Sequence, residues 1–116
     1  MKLKSHPVEF QDWRLPLLWP LEVLNGLMMA ERRGRLDTDR RRRLADFLRD
    51  LPVTLDPDTA TKAWEATQQL SERHRLTVYD SAYLELSMRL DLPLATLDRE
   101  LRLAATSVEV SLLGVA

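Results

Sequence analysis

The chain has 116 residues, a formal charge of −1, 45 % hydrophobic and 30 % charged residues, and no cysteine. That length fits one domain, residues 1–116, and the near-neutral balance excludes a domain that binds nucleic acid through bulk positive charge. No apolar run approaches the roughly 20 residues needed to cross a bilayer, and residues 1–9 lack the apolar centre of a signal peptide, so a cytoplasmic protein without membrane contact is expected.

Near the start, Trp13-Arg14-Leu15-Pro16-Leu17-Leu18 reads as a short extended piece in which Pro16 would break any central strand pairing. Pro20 suits the first turn of a helix, the spacing of Leu21, Leu24, Leu27 and Met28 continues it toward Arg33, and Gly34 can close it. Asp37 or Thr38 can cap a second helix with the apolar stripe Leu44, Phe47, Leu48 and Leu51, ended by Pro52. Val53-Thr54-Leu55 is β-prone, and Asp56-Pro57 supplies an N-cap and first turn for a long helix that turns Ala60, Ala63, Trp64, Thr67 and Leu70 inward.

Thr77 and Asp80 match a capping box, and the helix after them runs to about Leu90 with Tyr79, Tyr83, Leu86 and Leu90 on its inner face. Leu92-Pro93-Leu94-Ala95-Thr96 is a short strand, Asp98 opens a helix to about Ala105, and Val108-Glu109-Val110 forms a last strand. This order of elements predicts an α/β layered domain with a small, mainly parallel sheet.

Glu22, Asp80 and Asp98 each fall in the first turn of a predicted helix. Acids gain roughly 0.3–1 kcal/mol at such positive ends, which accounts for them one at a time. In an open α/β sheet, however, helices begin where ligands bind, outside the carboxyl ends of the strands, so the three acids could converge. Converging carboxylates repel one another, and a cation that relieves the repulsion also polarises a phosphate and lowers the pKa of bound water. With no thiolate available and only His6 and His74 to offer imidazole, oxygen ligation favours Mg²⁺ or Mn²⁺ over zinc.

Four motifs in order carry a family resemblance: Leu18-Trp19-Pro20-Leu21-Glu22-Val23-Leu24-Asn25, Glu31-Arg32-Arg33-Gly34-Arg35-Leu36, Tyr79-Asp80-Ser81-Ala82-Tyr83-Leu84-Glu85-Leu86 and Leu94-Ala95-Thr96-Leu97-Asp98. Together they resemble PIN-domain ribonucleases, in particular VapC-type toxins of toxin–antitoxin pairs, over about residues 15–113. The resemblance implies a PIN-like three-layer α/β fold and Mg²⁺- or Mn²⁺-dependent cleavage of single-stranded RNA. It gives Glu22, Asp80 and Asp98 as catalytic, metal-binding acids, with Asn25 and Thr96 as supporting polar groups. It also implies a cognate antitoxin and a homodimer. The chain departs from the family in lacking its usual first, central strand and the aspartate that ends it. A competing expectation is therefore a non-catalytic PIN remnant that binds an antitoxin-like peptide or its own copy.

Between Glu31 and Asp50, eight arginines face five acids. Arg32, Arg33, Arg35, Arg40 and Arg41 are candidate RNA-phosphate contacts, against the plainer reading of a solvated helix face. Tyr79 and Tyr83 could stack on bases, but their spacing with Leu86 and Leu90 favours core packing. His74 falls at a helix C-terminus, a structural place for a partial positive charge. Trp13 and Trp19 could seal the gap that a missing central strand would leave.

Overall fold

In the computed structural model, which describes residues 13–113, Arg14–Pro16 (β1) and Thr54–Asp56 (β2) form a two-stranded parallel sheet. Arg14 pairs with Thr54, Leu15 with Leu55 and Pro16 with Asp56. Pro16 was expected to break central strand pairing, and among the described residues β1 pairs on one side only. The Thr54 amide donates to the Trp13 carbonyl at 3.0 Å; along a strand the polar backbone groups alternate in direction, so Arg14 and Pro16 turn theirs to the edge away from β2. A proline loses no ladder bond there.

Helix α1, Trp19–Arg32, has Pro20 in its first turn, and Gly34 follows it at φ +76°, the left-handed geometry that favours glycine. Helix α2, Thr38–Arg49, is capped by Asp37, whose carboxylate accepts from the Arg40 amide at 2.7 Å. These two helices lie together as a hairpin fastened by Glu31, which accepts from Arg41 Nε at 2.7 Å and from the Thr38 hydroxyl at 2.7 Å.

The segment after β2 departs from the single long helix expected. Asp56 ends β2 instead of capping a helix. Helix α3 spans only Thr59–Lys62, a π-type turn occupies Ala63–Thr67, and α4 resumes at Gln68–His74. Glu65 lies outside helical geometry at φ −115°, ψ −112°, which breaks the register of the inward stripe. Leu70 and Thr67 are buried as expected, whereas Trp64 points outward and is 82 % exposed.

Helix α5, Val78–Leu90, opens on the predicted cap, with the Thr77 hydroxyl accepting from the Asp80 amide at 3.0 Å. Its buried residues are Ser81, Ala82, Leu84, Glu85, Leu86 and Ser87. Tyr79 and Leu90, expected on the inner face, are exposed; α5 is wrapped on the face centred on Leu84. Helix α6 spans Arg99–Ser107, with Asp98 as its N-cap rather than in its first turn.

The two strands expected at the C-terminal end shrink to one parallel bridge between Leu94 and Leu112. Val108 ends α6 and Glu109 follows at φ +62°, a turn where a last strand was expected. The core gathers here: Leu70, Leu76, Leu84, Leu94, Leu101, Ala104, Ala105 and Val110 pack together with Tyr83, Val108 and Leu112 against them. The result is a mixed α/β chain, mostly helical, with a small parallel sheet. Among the described residues no helix is long and apolar enough to cross a membrane.

Candidate functional site

Three elements bring the predicted acids to one neighbourhood: the first turn of α1 carries Glu22, that of α5 carries Asp80, and Asp98 precedes α6. Tyr83, one turn along α5 from Asp80, lies beside Asp80 and Glu22. Its hydroxyl is pushed well above the ordinary tyrosine value, first by burial, then by a hydrogen bond to Glu22, and then by the charges of Glu22 and Asp80. The phenol therefore stays protonated and available as a donor to a carboxylate. Tyr83 was read from sequence as core packing. It does pack on the core, and its hydroxyl meets Glu22.

Asp80 is half-buried, and burial is the main cause that raises its carboxyl above the usual aspartate value, with the nearby Asp98 charge adding to it and the Thr77 hydroxyl opposing it. Glu22 Oε1 is buried and has no hydrogen-bond partner among the described residues. Asp98 is exposed; its Oδ2 accepts from the Leu101 amide at 2.9 Å, and its own amide donates to Thr96 Oγ1 at 3.1 Å. Thr96 thus fixes the turn that presents Asp98. Asn25 lies one turn beyond Glu22 on α1 and is exposed.

An unpartnered buried carboxylate oxygen and an aspartate whose proton affinity is raised by burial and by a neighbouring acid are both relieved by a cation. The oxygen donors suit Mg²⁺ or Mn²⁺, which need only one or two protein carboxylates and draw on water and phosphate for the rest. Asp80 and Asp98 are the pair that could hold such an ion. Among the described residues, however, no group of three acids lies close enough to hold one together.

The arginines occupy a different place. Arg32, Arg33 and Arg35 lie at the end of α1 and just beyond it, about 15 Å along the helix from Glu22 at 1.5 Å per residue. All three are exposed, as is Arg40, while Arg41 is spent on Glu31 and Arg43 pairs with Asp39 at 3.0 Å. The run splits between solvent and structural pairs, since consecutive helix positions point in all directions.

One charged group escaped sequence reasoning. Arg89 on α5 grips Asp56 at the end of β2 with an Nη2–Oδ2 distance of 2.6 Å, and Glu85 with an Nε–Oε2 distance of 2.8 Å. Asp56 and Glu85 are both buried. Burial alone would raise the Asp56 carboxyl, but Arg89, the Asp58 amide and the Thr59 hydroxyl outweigh it and hold it below the usual value. The same contacts, that with Glu85 foremost, raise Arg89 further, so it stays charged. The i, i+4 spacing of Glu85 and Arg89 was legible; the third partner, 33 residues upstream, was not. The triad is a pin between sheet and helix.

No known protein family and no curated protein matches this chain.

Proposed function

We propose that the chain is a PIN-like, VapC-type endoribonuclease that cleaves single-stranded RNA with Mg²⁺ or Mn²⁺. The observation that carries this reading is the nearness of Asp98 to the half-buried Asp80, with Tyr83 beside Asp80 and bonded to Glu22, all at the starts of three helices. Asp80 and Asp98 would hold the ion, with Glu22 as the third acid of the site. When bound, the ion supplies positive charge at the phosphodiester and acidifies the attacking water. The chain's own part is to hold the acids in position: Thr77 orients Asp80, Thr96 orients Asp98, and the protonated Tyr83 hydroxyl fixes Glu22. Arg32, Arg33, Arg35 and Arg40 would take flanking phosphates, and Asn25 would line the approach.

A second reading belongs to a different class: a non-catalytic PIN remnant acting as a binding module for an antitoxin-like peptide or a second copy. It is favoured by the lack of a three-acid metal group among the described residues. One experiment separates the two. Cleavage of single-stranded RNA by the 116-residue chain with Mn²⁺, abolished by EDTA and reduced to background by Asp80→Ala, is the outcome expected of a nuclease. A chain that is folded by circular dichroism and no more active than Asp80→Ala removes the enzyme and leaves the binding module.

A further inference from the structure

Large apolar side chains stand out from the surface where the acids lie. Five of them are at least 61 % exposed among the described residues: Leu97, Trp64, Leu21, Tyr79 and Phe47. Three of these five immediately precede an acid of the site, Leu21 before Glu22, Tyr79 before Asp80 and Leu97, at 92 %, before Asp98. Neighbouring Cα atoms are about 3.8 Å apart. Asp98 is near enough to Asp80 to act on its charge, and Tyr83 ties Glu22 to the same place. Scattered exposed leucines are ordinary, whereas apolar groups gathered at one place mark a binding surface.

Cations are set among these groups. Arg75 lies two residues before Thr77, the cap of α5, and Arg99 directly follows Asp98 as the first residue of α6. Both are exposed, and neither forms an ion pair among the described residues. The hairpin arginines begin about 15 Å from Glu22, roughly two Debye lengths at physiological salt, so they serve phosphates farther along a strand. Apolar and aromatic faces interleaved with arginine are what an unpaired strand requires, since its bases stack on the former and its phosphates meet the latter. A duplex hides its base faces in its own stack and gains little from such a surface.

We propose that Leu21, Tyr79 and Leu97, with Arg75 and Arg99, form a rim that admits unpaired nucleotides of RNA to the acids: a base stacks on the Tyr79 ring, the two leucines cover its neighbours, and the two arginines take the phosphates on either side. Val78, exposed beside Tyr79, extends the apolar surface. The arginines also offset the repulsion that Glu22, Asp80 and Asp98 exert on a polyanion. The proposal rests on the nuclease reading for the identity of the strand as RNA, and adds how that strand is chosen and held. Every base has a π-face, so the rim selects unpaired strand over duplex and not one base over another.

The test separates binding from cleavage. Asp80→Asn, which removes a repelling charge together with the proposed chemistry, is made in the full chain, and EDTA is present throughout. The anisotropy of a labelled RNA of mixed sequence, about 12 nucleotides long, is followed with the RNA single-stranded or annealed to its complement. Saturable binding of the single strand is expected, about tenfold or more tighter than that of the duplex. In the same background Tyr79→Ala should weaken binding about 5- to 100-fold and Tyr79→Phe hardly at all, because stacking uses the ring and not the hydroxyl. Arg75→Gly, which suits the φ of +55° at that position, and Arg99→Ala should each reduce the slope of log affinity against log salt by about 0.7. Tyr79→Ala should leave that slope unchanged.

No binding, equal affinity for single strand and duplex, or a Tyr79→Ala chain that binds like its parent overturns the proposal. A change in sedimentation without a change in RNA binding on Tyr79→Ala and Leu97→Ser also overturns it, since the rim would then be a contact between two copies. The rim and the nuclease fail separately. Cutting by the unsubstituted chain with Mn²⁺, together with unchanged binding in the rim variants, keeps the nuclease and removes the rim. Binding that depends on the rim, without any cutting by the unsubstituted chain, keeps the rim and removes the nuclease.

Discussion

Helices α1 and α5 have nearly the same length, 14 and 13 residues, and both begin with an acid in the first turn. Yet α5 buries six residues and α1 none. The difference lies in their neighbours: α5 is enclosed by β1, the segment from α3 to α4, and α6, while α1 has α2 along one side and leaves Leu21 and Leu24 exposed. The hairpin of α1 and α2 frames an apolar groove with Val23, Leu27, Leu48 and Leu51 in its walls, and depends on surface devices, the Asp37 cap and the Glu31 bonds. Helices form from pattern and caps; rigidity comes from what closes over them.

The sharpest way to break this contrast is at the pin of α5. Arg89→Ala leaves Asp56 and Glu85 buried without their counter-charge, and a loss of about 3–5 kcal/mol is expected in urea unfolding. A loss under about 1 kcal/mol would mean that water enters the triad and that it contributes little. Next in size, Leu84→Ala empties a site with 0 % exposure and should cost about 2–5 kcal/mol. Leu24→Ala, at 42 % exposure in α1, should cost less than about 1 kcal/mol. Equal losses at the two leucines would show that the hairpin groove is filled in solution.

A smaller effect is expected at the hairpin's own anchor. Asp37→Ala removes the α2 cap and should cost about 1 kcal/mol, read in the same denaturation series.

Acid titration sharpens the contrast between scaffold and site. Asp56 is held below its ordinary value of 3.8, so its stabilisation is fully present above that pH and is lost as pH falls through the lower folded-state value. Asp80 is raised above 3.8 by burial and by Asp98, so its contribution has the opposite sign and folding gains as it takes up a proton. Urea midpoints measured from neutral pH to pH 3 should therefore fall less steeply with acid in Asp56→Asn. Asp80→Asn should be at least as stable as the parent near neutrality. A destabilised Asp80→Asn would show that the carboxylate is needed by the fold rather than strained within it.

Much of the outline was legible because local signals sufficed: Pro20 and Gly34 bracket α1, Asp37 caps α2, and Thr77 with Asp80 starts α5. Misreadings arose where distant chain decides. Trp64 looked inward on an unbroken helical period, and the break at Glu65 turned it out. Asp56 before Pro57 is a familiar helix start, but Arg89 of α5 holds its carboxylate at the sheet. Of the candidate site, the acids could be chosen by their place at helix starts, whereas the role of Tyr83 could not, because its spacing served core and site equally well.

The sequence by itself determined where α1, α2 and α5 start, that no thiolate can hold a metal, and which acids stand at positive helix ends, since capping, ligand chemistry and dipoles act within a few residues. Only the tertiary structure decided that β1 pairs with β2, that Leu94 bridges to Leu112, that Arg89 unites β2 with α5, and that the Tyr83 hydroxyl meets Glu22. Those relations depend on residues far apart in the chain whose burial makes their charges and hydrogen bonds strong, and no local pattern encodes that burial.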